Sequence, residues 1–389
     1  MTYFSCTCAN DALATRLTVA RDAQRIHRRH VRVHSPLSLR IILLVISCAC
    51  VINAQDAKQR ANDARALLAR TPSPPMHIVL GDPLIVDVRL HTDVVAPHAL
   101  AKRWQFVVAG PVVGDGQRII SVSLVPNGKR SADLSAWKRP LLIAEVATNQ
   151  AQPTRMSATW QAQIELRSRT LVDGPSENPV AALPMAQRTA ALADTPMIDW
   201  TSEAFQKGLD TADLRPHEGE HAIAFAQRVL RHVRSLSYRY TAEMNRCASH
   251  VLSSGTSDCG GLGGLAVATL RAAGIPARLL VGRWAKTARP TDQLEGLPYG
   301  QWHVKLEFYV DGVGWIPTDA AIEMNDLTAW FGKQNADFIT LHVDPGVRVK
   351  TLFGERELLL AQGMAFWIRG DGTLDDKTVE ETWTVTPVR

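Results

Sequence analysis

Past its first 55 residues the chain has little cysteine: Cys6, Cys8, Cys48 and Cys50 fall before that point, which leaves Cys247 and Cys259. Two thiols build no disulfide framework, so a buried core has to supply the stability. No Cys-x-x-Cys pair occurs, so neither a zinc site nor any other metal site is expected, and no cofactor is implied. Charge of one sign is also missing from the body of the chain. Seven arginines precede residue 56 (Arg16, Arg21, Arg25, Arg28, Arg29, Arg32, Arg40) against Asp11 and Asp22, while the rest of the chain holds 36 basic and 36 acidic residues. The net charge of +5 therefore belongs to the leader, and no nucleic-acid partner is expected. Long apolar runs are absent as well. The longest, Ile41 to Ala54 behind Arg40, is too short to span a bilayer comfortably and has the proportions of a secretory signal core. Residues 1–55 are read as a signal or leader segment of an exported protein, periplasmic, envelope-bound or secreted. Three fates fit it: cleavage near Gln55, lipidation at Cys48 within Val45-Ile46-Ser47-Cys48, or retention as a membrane anchor.

What remains is a globular composition, 46% hydrophobic over 389 residues, enough for two domains. A polar, Ala-rich helical linker over 56–76 ends at Pro74-Pro75. Short alternating runs then follow at Leu84 to Leu90, Trp104 to Val108, Ile119 to Val125, Leu141 to Val146 and Ala158 to Leu166. Their period of two, punctuated by Gly, Pro and Asn, predicts a β-sandwich-like domain over 77–172. Breakers at Asp173 to Pro179 separate it from a helical stretch in which Ala222, Phe225, Ala226, Val229 and Val233 share one face. A second domain is expected over 183–345, with 346–389 as a C-terminal extension carrying a strand near Thr382 to Val385.

The second domain carries the chemistry. Gly255-Thr256-Ser257-Asp258-Cys259 runs into Gly260, Gly261, Leu262, Leu265, Ala266 and Thr269 at helical spacing, stopped by Gly274-Ile275-Pro276. Cys259 is thus set at a helix N-terminus, where unpaired N–H groups favour a thiolate and can serve an oxyanion beside it. His303 opens the alternating strand Val304 to Val310, and Asp311-Gly312 turns it back toward Asp319. A two-residue loop would place His303 opposite Ala320 and send Asp319 to the other face. An odd loop centred on Asp311, with Gly312 in the left-handed conformation, would set His303 directly opposite Asp319. A cysteine, a histidine and an aspartate in this order supply a nucleophile, a base and an orienter.

These stretches, with Leu270 to Arg278, Trp302-His303-Val304 and Gly314-Trp315-Ile316-Pro317-Thr318-Asp319, resemble the transglutaminase-like superfamily of papain-fold cysteine enzymes from about Ala222 to Asp344. The resemblance implies an α+β fold, a papain-like core with the cysteine-bearing helix packed on an antiparallel sheet. It also implies a catalytic triad of Cys259 as nucleophile, His303 as base and Asp319 as orienter. The chain departs from the family in having Gly260 and Gly261 inside the helix, and in having Trp before and Val after the histidine in place of the common His-Ala-Trp.

Each feature has a plainer reading. Single Cys, His and Asp residues are mostly structural, but three in family order favour catalysis. The glycines Gly260, Gly261, Gly263 and Gly264 mimic a nucleotide loop without the preceding strand or acidic partner, and are read instead as sites of close approach. Cys247 is read as a buried core thiol. Trp284, Trp302 and Trp315 either line a cleft or pack the core, and Tyr240 and Trp302 are the candidates for a second oxyanion donor. The expected activity is attack on an amide bond of a protein or peptide substrate through a Cys259 thioester, resolved by water. The alternatives are protein-glutamine transamidation, or a non-catalytic peptide or cell-wall binding module. A polar loop over 283–303 without an apolar acceptor channel favours water.

Overall fold

A computed structural model describes residues 3–6, 36–148, 154–178, 180–241, 243–288, 293–294, 297–298, 301–321 and 331–388. The molecule is a mixed α+β protein with several antiparallel sheets. The basic part of the leader, residues 7–35, lies outside the described residues, while Pro36 to Ala69 forms one helix. Among the described residues no helix is long and apolar enough to cross a membrane.

All five runs expected to be strands lie inside strands, namely Leu84–Ala96, Ala99–Ala109, Gln117–Val125, Pro140–Ala147 and Thr154–Leu166. Alternation sets one face of each inward: Val86, Val88, Leu90 and Val94 are buried, as are Met156, Ala158, Trp160 and Ile164 on the neighbouring strand. The strands divide between two sheets that share one core. The stretch read as a C-terminal extension supplies a strand to each. Ala365–Gly372 pairs with Ala99–Ala109, and Thr378–Pro387 pairs with Leu84–Ala96, from Thr378 against Val95 to Pro387 against Val86. Trp383 stacks on Trp160 with ring centroids 6.0 Å apart.

The other core is built around helix Cys259–Ala272, in which every residue after Cys259 is buried. A helix apolar on all sides has to be central. One side meets Leu279, Val281, Val304, Leu306 and Phe308 of a four-stranded sheet ordered Gly314–Thr318, Trp302–Val310, Ala277–Trp284 and Phe338–Val343. The remaining sides meet helices Glu203–Thr211, Ala222–Arg234 and Ala248–Ser254. The segment expected as a linker joins them, because Ala57, Ala61 and Leu68 of the long N-terminal helix are buried in this core. Gly274 makes that docking possible: its φ is 72°, and a Cβ there would stand 2.8 Å from the Ala61 carbonyl oxygen.

The two cores are joined by buried ions. Arg139, from a loop of the β-rich part, pairs with Asp133 at 2.6 Å and donates to the carbonyls of Val343, Asp344 and Pro345 at the end of the last core strand. Arg271 of the central helix pairs with Asp344 at 2.6 Å. Arg283 pairs with Glu381 of the final strand.

Candidate active site

Cys259 takes the first position of its helix because Asp258 caps it: the Asp258 carboxylate accepts from Gly261 N at 3.1 Å. Arg246 holds that carboxylate in turn, with both side chains buried and a 2.6 Å contact between them. The N–H groups of Cys259 and Gly260 stand in the first turn, where helix geometry gives them no intrahelical acceptor. The glycines admit close neighbours. A Cβ on Gly260 would meet Leu360 at 2.9 Å, and one on Gly261 would lie 1.9 Å from Ser257 Oγ, inside any possible contact. On Gly263 it would press on Leu279 of the sheet at 3.0 Å.

The hairpin that carries His303 and Asp319 differs in register from the expectation. Val310 pairs with Gly314 and Leu306 with Thr318, so the three-residue loop is centred on Gly312, one residue later than expected. Both Gly312 (φ 83°) and Gly314 (φ 97°) take conformations that favour glycine, which is why the turn settles there. Extended past Thr318, this register puts Asp319 across from Lys305, diagonal to His303 but on the same face. The chain leaves the strand at Asp319, whose carboxylate reaches His303 Nε2 at 2.7 Å and also accepts from Ala321 N at 3.0 Å.

With Nε2 on Asp319, Nδ1 of His303 is the ring nitrogen left for Cys259, whose sulfur is near enough to favour the charged ring. Burial, the largest influence on His303, opposes its charge. The Asp319 carboxylate and the Cys259 sulfur outweigh it and hold the imidazolium up to about 10. Burial likewise opposes the Asp319 carboxylate, but His303 and Lys305 keep it below its ordinary range. Trp284 lies over the imidazole, stacked at 4.7 Å between centroids, and Gln362 donates to His303 O at 2.8 Å.

The raised His303 predicts how stability depends on pH. Its contribution is complete below the ordinary value of 6.5 and is lost as pH climbs toward about 10. That of Asp319 is complete above 3.8 and is lost as pH falls below it. The melting temperature should therefore decline from pH 6.5 to 10, and His303→Gln should flatten that decline; equal slopes in the two proteins would exclude the ion pair.

Other sequence candidates separate. Residues Ser237 and Tyr238 pair in parallel with Thr256 and Ser257, a register that brings Tyr240 alongside Cys259, and the charge of Cys259 acts on the Tyr240 phenol. Trp302 buries its indole N–H with no hydrogen-bond partner among the described residues. Trp315 packs instead with Leu183, Ala191 and Tyr309 in a separate cluster. Cys247 is half-buried rather than core; it stands just before helix Ala248–Ser254 without capping it through its side chain, and its thiol donates to the Pro196 carbonyl at 3.1 Å. Burial and Asp199 push that thiol up, away from a reactive thiolate.

A histidine pair that the sequence reading passed over, His217 and His221, stands at zinc-ligand spacing with Glu218 between. Both precede helix Ala222–Arg234; His217 meets Asp213 at 3.0 Å and His221 caps the helix through Ala224 N. Among the described residues no group of three or more His, Cys, Asp or Glu is placed to hold a metal. Part of the loop expected at the cleft, residues 289–292, 295–296 and 299–300, lies outside the described residues.

Residues 209–320, which contain Cys259, His303 and Asp319, match the Transglutaminase-like superfamily core. This segment is a transglutaminase-like core. No curated protein matches the chain. Solved structures with a similar chain path include a cysteine protease candidate from Cytophaga hutchinsonii, 14% identical over 80% of this chain and 93% of that one, with a TM-score of 0.46. The periplasmic domain of TgpA from Pseudomonas aeruginosa bound to ethylmercury is 14% identical over 67% of this chain and 93% of that one, at 0.29. A protease candidate from Parabacteroides distasonis is 14% identical over 54% and 58%, at 0.22.

Proposed function

We propose that the protein is an exported cysteine hydrolase that cleaves peptide or amide bonds through an acyl-enzyme on Cys259. The observation that carries this reading is the buried His303–Asp319 pair, joined at 2.7 Å, with its other ring nitrogen turned to a thiol at a helix N-terminus. The papain-like reading of the fold is supported by the same helix lying on an antiparallel sheet.

In this mechanism the thiolate attacks the amide carbonyl, and the oxyanion that forms accepts from the Cys259 N–H and the Tyr240 hydroxyl. His303 then gives its Nδ1 proton to the leaving amine. As the sulfur becomes a thioether its charge disappears, which removes part of what held the imidazolium and eases that transfer. The neutral imidazole next takes a proton from water, whose oxygen attacks the thioester; the acid product leaves and the thiolate–imidazolium pair returns.

Water is favoured over an amine as acceptor because it is in vast excess unless a lined channel delivers the amine. Export is supported by the basic and apolar runs of the leader, and mass spectrometry of the native N-terminus at Cys48 or near Gln55 would test it. The reaction itself is tested by incubating the protein with a glutamine peptide and a primary amine. Peptide cleavage and ammonia release should exceed amine incorporation. Predominant incorporation would replace hydrolysis by transamidation, and no turnover from a protein whose Cys259 still alkylates would favour a binding module.

A further inference from the structure

The sheet face that carries His303 also carries a buried lysine. Strand Trp302–Val310 alternates, so His303, Lys305 and Glu307 share one face, and all three are buried. Lysine is almost never buried unless it is paired. The Lys305 ammonium lies 3.7 Å from Asp337, 4.3 Å from the centroid of the Trp284 ring and 4.9 Å from that of Phe338. The hairpin register places Asp319 across from it, and the two groups feel each other's charge. Asp319 therefore lies between two cations of one strand, His303 and Lys305, with Trp284 packed over both.

Among the described residues two other acids neighbour this lysine. Asp337 pairs with it at 3.7 Å through a buried Oδ1, although the side chain as a whole is 44% exposed. Glu307 is already held by Arg169 at 2.8 Å and Arg278 at 2.6 Å. Asp319 is the carboxylate on this face that is cut off from water and adjoins the reacting imidazole. Burial, the largest influence, pushes the Lys305 ammonium down from its ordinary range; among the described residues Asp319 and Asp337 favour its charge and Arg169 opposes it, with His303 and Glu307 on its own strand. In the common His-Ala-Trp pattern this position holds an indole; here the ring over the histidine comes from Trp284 on the adjacent strand, and the vacated place holds a cation.

We propose that Lys305 is a positioning residue of the reaction, a second cation on Asp319 that keeps the carboxylate ionised and loosens its hold on the imidazolium, so that His303 can release its proton to the leaving amine. The inference rests on the Cys-His-Asp reading above. A single charge within about 4–6 Å moves a proton affinity by about 1–3 pH units, so even a partial effect is measurable.

The test reads His303 directly, by histidine-selective NMR titration of the Cys259→Ala protein with Lys305 intact or replaced. Lys305→Met should raise the His303 midpoint by about one pH unit, because removing a nearby positive charge favours the protonated ring. Lys305→Arg should keep it within a few tenths. In protein that retains Cys259, Lys305→Met should lower kcat with little change in KM. Should methionine disturb the packing, Lys305→Gln provides the same comparison with a polar end toward Asp337. An unmoved midpoint in a folded Lys305→Met or Lys305→Gln protein overturns the proposal. Because the midpoint is read without a nucleophile, a raised midpoint in a protein that never cleaves peptide would sustain the role of Lys305 while sinking the hydrolytic reading.

Discussion

Replacing Cys259 with alanine should abolish peptide cleavage, by about 10,000-fold or more, while leaving the melting temperature nearly unchanged. The side chain is small and partly exposed at the first helical position, and Asp258 continues to cap the helix without it. Asp319→Asn should be milder, on the order of 100-fold, because an amide can still accept from Ala321 N and orient the ring but no longer supports an imidazolium. Cleavage and alkylation assays on the purified variants check both. Wild-type turnover from Cys259→Ala would end the nucleophile assignment.

Deleting residues 364–389 should leave no folded protein, the catalytic core included. The deletion removes Phe366, Trp367, Ile368 and Trp383, each at 1% exposure or less. At about 1.5–3 kcal/mol per side chain they contribute roughly 6–12 kcal/mol, comparable with the about 5–15 kcal/mol that holds a typical domain together. The loss also strands Arg283, buried in the core sheet with its partner Glu381 gone, at about 3–5 kcal/mol. A cooperative thermal transition in the truncated chain would refute this coupling.

The sequence made the strands and the triad legible for local reasons. Alternation over Leu84–Ala96 or Thr154–Leu166 is a period-two signal that needs no knowledge of partners. Cys259, His303 and Asp319 were recognisable from residue type and order, and even parity put His303 and Asp319 on one face. The register was misplaced by one step because Asp311, Gly312 and Val313 allow more than one loop centre, and the second glycine, Gly314, lets the turn slide. Contacts between residues distant in sequence carried no local signal. The hold of Gln362 on His303, the pairing of Arg283 with Glu381 and the return of the last strands to the first sheets are of that kind. Lys305 read only as one residue of an alternating strand, and its place against Asp319 depends on the register.

The antiparallel pairing of Pro387 with Val86 has a consequence for the order in which the protein is made. A chain emerging from the ribosome N-terminus first holds Cys259, His303 and Asp319 long before the residues that close both sheets around Trp160 and Phe106. Gln362, which secures the His303 backbone, also arrives late. On the hydrolytic reading proposed above, a nascent chain therefore has the thiol but not the fully supported Cys259–His303–Asp319 arrangement until its last strands have paired.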